Sequence, residues 1–154
     1  MPILSFSDLQ IRCAEENKSI YEVAQEEEAS LLGEVVDVVR LKVLEDLLAM
    51  KDAVKNGLKS KEKAISGWCG DDCAKLIEKY QKKGAIFGKT FEKITTYALA
   101  TAEENLRMGR IVACPTAGSC GIVPSVIIAA AEEEKISETQ QILSLIHISE
   151  PTRR

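Results

Sequence analysis

The residues best suited to chemistry form one short run, Cys114-Pro115-Thr116-Ala117-Gly118-Ser119-Cys120-Gly121. Its side chains are small, and it opens onto an apolar stretch that reads as a helix with Pro124 in the first turn. Backbone amides from Ala117 to Gly121 are then left without helical partners, and a helix start carries partial positive charge. Thr116 and Ser119 add hydroxyl donors. A carboxylate or phosphate suits such a place. A nucleotide P-loop does not, because the Gly-Lys-Ser/Thr ending is missing. Taken alone, a glycine-rich helix start is more often a tight turn than a binding site.

The cysteines offer a different chemistry. Cys69-x3-Cys73 with Cys114-x5-Cys120 supplies four thiolates for zinc or a cluster, although two intervening residues are commoner in zinc ribbons. Burial as a small apolar residue is the plainer role for each, and Cys13 and Trp68 are assigned to packing as well. The five cysteines are odd in number, and Met1 to Gln10 has neither the basic start nor the apolar core of a signal peptide. Reduced thiols in a cytoplasmic setting are therefore expected.

The elements that must position these residues read as helices. Ser7 and Gln10 have capping-box spacing, and Ser19 with Glu22 repeats it before a helix running to Leu32 and Gly33. A longer helix is expected from Glu34 to Leu58, its packing stripe formed by Val35, Val38, Val39, Leu41, Leu44, Leu48 and Val54. Gly57 weakens its end. Asp71 or Asp72 caps a short helix to about Lys82, and Gly84 and Gly88 frame a loop. From Thr90 the helical period returns, with Phe91, Ile94, Thr95, Ala98, Leu99, Ala102 and Leu106 on one face and Gly109 after the last turn. Another helix ends near Glu134, and Ser137 to Gln140 caps the next. No alternating apolar pattern competes, so the fold is expected to be all-α. It would be a multi-helix, bundle-like part with glycine-rich loops near 66–72 and 114–121. Residues 1–142 form this part. The tail, Leu143 to Arg154, resembles translated sequencing-adapter DNA, shows no continuation of the preceding helix, and removes His147 from consideration.

Composition narrows the function classes. A net charge of −4 with Lys and Glu mixed along the helices argues against a nucleic-acid-binding face. Ile111 to Ala131 has no charged residue, but its prolines, glycines and hydroxyls suit a buried loop and helix better than a membrane span.

The segment Asn105, Met108-Gly109-Arg110-Ile111-Val112-Ala113 and Pro115-Thr116-Ala117-Gly118-Ser119-Cys120-Gly121-Ile122-Val123-Pro124 resembles the hallmark of the iron–sulfur L-serine dehydratase alpha chain. The Ser5-Phe6 start, the Met50 to Val54 helix and the Ser66-Gly67 loop are similar in order and spacing, so the likeness covers roughly residues 3–142. It implies a lyase converting L-serine to pyruvate and ammonia. It also implies that this helical part belongs to a larger helical catalytic domain, and that a 4Fe-4S cluster is held by cysteines following a Gly-rich Gly-Cys-Gln segment absent from these residues, with an open iron serving as Lewis acid. Pro115, Thr116, Ala117, Gly118, Ser119 and Gly121 would bind the substrate carboxylate, and Ser66 and Gly67 would line the same pocket. A beta chain or fused beta domain and possible homo-oligomerisation follow as partners. The resemblance identifies no catalytic base. Trp68, Cys69, Asp71, Asp72 and Cys73 depart from the small, glycine-rich residues the family carries after Ser66-Gly67. Two rival classes stand beside this reading: the four-cysteine metal-binding module, and a helical interaction domain without chemistry.

Overall fold

The computed structural model describes residues 3, 5–84, 86–114, 116 and 118–149, and among these it contains helices and no strand. The helices are α1 (Phe6–Glu16), α2 (Ile20–Leu32), α3 (Val36–Lys59), α4 (Asp72–Lys83), α5 (Lys89–Leu106), α6 (Ser119–Glu134) and α7 (Glu138–Ser149). The all-α expectation holds. No described helix is long and apolar enough to cross a membrane.

Side-chain capping explains where α1 and α2 begin. Ser19 and Glu22 close both halves of the expected box at the start of α2, and Gly33 ends that helix in the left-handed region. The cap of α1 is Ser5 rather than Ser7: its hydroxyl accepts from the Asp8 amide at 3.2 Å. Two serines, two residues apart, each stand three before a polar side chain, and pattern alone does not choose between them.

The chain divides into two compact units. One holds α1, α2, the part of α3 through Asp46, and α7. Here α2 packs against α1 and α7, with Leu9, Val23, Ala29 and Ile146 buried. Arg12 ties α1 to α2 through Glu27 at 2.8 Å, and Gln25 accepts from Arg40 at 2.9 Å. The helix expected to lapse near Leu143 continues to Ser149. Leu145 and Ile146 are buried there with Gln141, one helical turn earlier on the same face, while His147 is exposed.

The other unit runs from Leu47 to Ser137, and α5 lies at its centre. Successive carbonyls of α5 meet different neighbours. The Cys73 thiol of α4 donates to Thr96 O at 3.6 Å. A Cβ on Gly121 of α6 would stand 3.2 Å from Ala98 O, and one on Gly57 of α3 would stand 2.1 Å from Ala100 O. Helices this close require small or polar contact residues. Accordingly α5 buries Thr96, Ala100, Thr101 and Glu103, whereas Phe91, Ala102 and Leu106 of the expected face are exposed. The α5 stripe read from apolarity was thus rotated. Thr96 and Thr101 satisfy their hydroxyls on the carbonyls of Glu92 and Tyr97 at 2.7 and 3.0 Å. The α3 stripe holds in part: Val39 and Val54 are buried as expected, together with Val43, Leu47 and Met50, whereas Val35, Leu41 and Leu48 are exposed.

Helix α6 folds back along α5. Gly121 lies over Ala98, while Glu132 and Glu133 reach Lys93 nearer the α5 start, at 3.3 and 3.2 Å. The Tyr97 hydroxyl donates to Glu132 at 2.8 Å, and burial together with that carboxylate holds it protonated. Gly57 is therefore not a weak helix end but the point where α3 touches α5.

Substituting Gly57 with alanine tests this contact. Helix propensity alone would stabilise the variant by about 1 kcal/mol. Overpacking against a backbone carbonyl costs about 1–3 kcal/mol or more, and a 2.1 Å approach leaves no side chain to yield. The melting temperature of Gly57→Ala is expected to fall by at least roughly 3 °C. An equal or higher value would mean that α3 and α5 stand further apart.

Candidate functional site

The turn before α6 is closed by its own residues. Gly118 is the residue preceding the helix, in the left-handed region at φ +85, with open space where a Cβ would be. Its glycine is needed for backbone conformation, not for room. The Ser119 hydroxyl donates to the Thr116 carbonyl and accepts from the Thr116 amide at 3.1 Å. The amides of Ser119 and Gly121 turn back to the carbonyls of Thr116 and Gly118 at 3.1 and 3.3 Å. Two of the amides expected to be open thus have local partners, the second a long one that a stronger acceptor could displace. Thr116 and Gly118 are exposed, and Ser119 and Cys120 are half-buried. Pro115 and Ala117, expected to bind substrate, lie outside the described residues.

Helix α6 begins at Ser119, so Pro124 falls in its second turn rather than its first. Proline there cannot donate to the Cys120 carbonyl, leaving that acceptor without its usual helical donor. Charge distinguishes α6 further. Each of the other described helices has an acid in its first turn (Asp8, Glu22, Asp37, Asp72, Glu92 and Glu138), and α6 has none. Its positive end is left for something other than its own side chains.

Ser66 and Gly67 sit in an exposed loop whose bonds are also local: Gly67 N to Ala64 O at 2.8 Å, and Trp68 N to Ser66 Oγ at 3.4 Å. Trp68 is 94% exposed, contrary to its assignment to packing. No hydrogen bond joins this loop to Thr116, Gly118, Ser119 or Gly121. Both segments instead meet the end of α5. Arg107 donates through Nη1 to the carbonyls of Glu62 and Gly70, each at 3.3 Å, and the chain continues from Arg107 into the 109–118 segment.

Sequence reasoning missed the residues that arrange this. Glu103 is 2% exposed; one carboxylate oxygen accepts from the Cys73 amide at 2.9 Å, and the other lies 3.5 Å from Arg107. An acid from α5 thus caps the start of α4. Asp71 holds the N-cap position but makes no side-chain cap bond: its carboxylate takes Lys75 at 2.7 Å, which lowers its pKa. Arg107 also approaches Glu104 at 3.5 Å, and the Glu104 carboxylate occupies the space a Cβ on Gly109 would need. Met108 takes the left-handed conformation at φ +64 just before. The signal was the spacing Thr96, Ala100, Glu103, Arg107, a helical face with two charges in it.

The cysteines do not assemble. Among the described residues no three His, Cys, Asp or Glu side chains are grouped to hold a metal ion. This corrects the four-cysteine alternative of Cys69, Cys73, Cys114 and Cys120, all of which are described. The Cys73 thiol is occupied with Thr96 O, and that of Cys114 faces Val112 O at 3.9 Å. The cysteines present therefore do not fit a cluster.

The fold and turn define a helical protein with an uncharged, hydroxyl-bearing loop at a helix start. The sequence matches the family model described as serine dehydratase alpha chain over residues 15–152, and the chain belongs to that family. It is 32% identical over 132 residues to "L-serine dehydratase, alpha chain" of Peptoniphilus asaccharolyticus, covering 82% of this chain and 44% of that protein. With "L-serine dehydratase" of Helicobacter pylori (strain ATCC 700392 / 26695) it shares 32% over 123 residues, 77% of this chain and 26% of that one. With the "Probable L-serine dehydratase, alpha chain" of Bacillus subtilis (strain 168) it shares 34% over 96 residues, 62% and 31% of the two chains. The chain thus spans less than half the length of these relatives. No solved structure matches.

Thiol chemistry gives a direct check. Burial, then the nearby Glu103 carboxylate, push Cys73 up to about 11, with Arg107 opposing. At pH 8 only about one molecule in a thousand then carries the Cys73 thiolate. Alkylation of the folded protein at pH 8, read by peptide mass, is expected to modify Cys73 last of the five cysteines. Labelling of Cys73 should accelerate as pH rises toward 11. Early modification of Cys73 would contradict the burial described.

Proposed function

We propose that the complete protein is an L-serine dehydratase: it eliminates water from L-serine, and hydrolysis of the resulting enamine releases ammonia and leaves pyruvate. A 4Fe-4S cluster belongs to this proposal, with its ligands in a part of the protein outside these residues. So does a beta chain or fused beta domain, since two of the matched relatives are described as alpha chains. In this division of labour, the 154 residues contribute substrate binding rather than the complete reaction centre.

The observation that carries the reading is the α6 start. Within a segment matched to the serine dehydratase family, α6 is the described helix with no acid in its first turn. A serine carboxylate would sit against that positive end, and the long Gly121 amide bond would shift to it. Ser119 acts on the turn itself, holding both the Thr116 amide and carbonyl. Its role is to keep the Thr116–Ser119 backbone shaped for the acid group, and the exposed Thr116 hydroxyl adds a donor.

The test uses the complete protein, assayed for pyruvate formed from L-serine. Ser119→Ala removes the two hydroxyl bonds to Thr116, each worth about 1 kcal/mol, and is expected to raise KM for L-serine roughly tenfold. Thr116→Val is expected to act in the same direction. Unchanged turnover by both variants would exclude the turn as the carboxylate site. A wild-type protein without serine dehydration would exclude the activity.

A further inference from the structure

The buried charges at the end of α5 support an inference beyond the α6 turn, and it rests on the serine-binding reading above. Arg107 has a side chain only 9% exposed, yet its contacts are spread over three directions. Nη1 takes the Glu62 and Gly70 carbonyls on the two sides of the Ser66-Gly67 loop. Glu103, behind it, also holds the α4 start through the Cys73 amide. Nη2 lies 3.5 Å from Glu104, whose carboxylate fills the space beneath Gly109 and whose carbonyl accepts the Gly109 amide at 2.9 Å. The same Nη2 is buried and makes no hydrogen bond of good geometry.

We propose that Arg107, oriented by Glu103, is a positioning residue that holds the 62–71 loop and the 109–121 segment as one unit, so that serine binding depends on it. The hydrogen bonds of Gly67 and Trp68, and those of Thr116, Ser119 and Gly121, run to near neighbours in sequence and so do not themselves fix the separation of the two segments. The guanidinium fixes it, because Nη1 takes the Glu62 and Gly70 carbonyls while Nη2, held in the same plane, lies against the Glu104 carboxylate. A lysine ammonium at this position keeps the charge but cannot span the same set. Gly109 contributes by leaving room for Glu104 at the point where the chain leaves α5 for the 109–121 segment.

The experiment compares wild type, Arg107→Lys and Arg107→Met in the complete protein, by peptide-resolved hydrogen exchange and by steady-state kinetics with L-serine. Both variants are expected to exchange faster in peptides from 62–71 and from 109–121 together, by about tenfold, while the α6 peptide 125–134 keeps its protection. In folded protein KM should rise by roughly tenfold and kcat fall by less, with Arg107→Lys lying between wild type and Arg107→Met. Faster exchange in 62–71 alone would overturn the coupling. An unchanged KM despite coupled exchange would overturn the positioning role. Should Arg107→Met fail to fold, Arg107→Lys and Glu103→Gln decide the same two readings. A wild type inactive on serine would refute the proposed function, and the exchange pattern would still decide whether Arg107 couples the loops.

Discussion

A buried ion pair on α5, Glu103 with Arg107, is the constraint on which the second unit depends. Taking two charges out of water is costly, and their mutual attraction rarely repays it in stability alone. What repays it here is the number of backbone groups the pair satisfies: the Cys73 amide at the start of α4, and the carbonyls of Glu62 and Gly70 in the preceding loop. Those groups would otherwise be buried or left loose beside α5. Removing either charge would strand the other in a site with little water, which makes the arrangement all-or-none. The pair specifies one geometry more than it adds free energy.

That geometry requires α5 to be approached closely on several sides. Gly57 and Gly121 bring α3 and α6 against its backbone, and Cys73 brings α4 to the Thr96 carbonyl. Large side chains on the inward face would push these neighbours away. The helix therefore places Thr96, Ala100 and Thr101 inward and satisfies the threonine hydroxyls on its own carbonyls. Scaffold and site are continuous as a result. The helix that organises the core ends in the residues that lead to the Thr116–Gly121 turn.

This also explains what was legible in the sequence. Helix number and approximate limits followed from caps and punctuation, because Ser19, Glu22, Gly33 and Gly84 act through local bonds that their types determine. The turn at Gly118 was legible for the same reason. Inward faces were not. On α5 apolarity pointed to Phe91 and Leu106, which are exposed, because close helix packing there selects small size over hydrophobicity; on α3, Val39 and Val54 of the expected stripe are buried while Leu41 and Leu48 are exposed. Glu103 and Arg107 were not singled out at all. Their burial comes from tertiary contacts of the Cys73 amide and the Gly70 carbonyl, and residue type does not announce them. The continuation of α7 past Leu143 was missed because the tail was judged by its unusual composition rather than by the spacing of Gln141, Leu145 and Ile146.

The electrostatics of α6 complete the reasoning. Acids are abundant in this chain, 24 Asp and Glu against 20 Lys and Arg, and they occupy the first turn of every other described helix. An acid at α6 would have been the ordinary stabilising choice, worth a few tenths of a kcal/mol to about 1 kcal/mol. Ser119, Cys120 and Gly121 forgo it. A neutral start retains its partial charge for an incoming carboxylate, and a fixed acid there would repel one. On the proposed reading, the same absence that costs α6 local stability supplies the attraction for substrate, and the Arg107 network compensates by fixing the segment that leads into it.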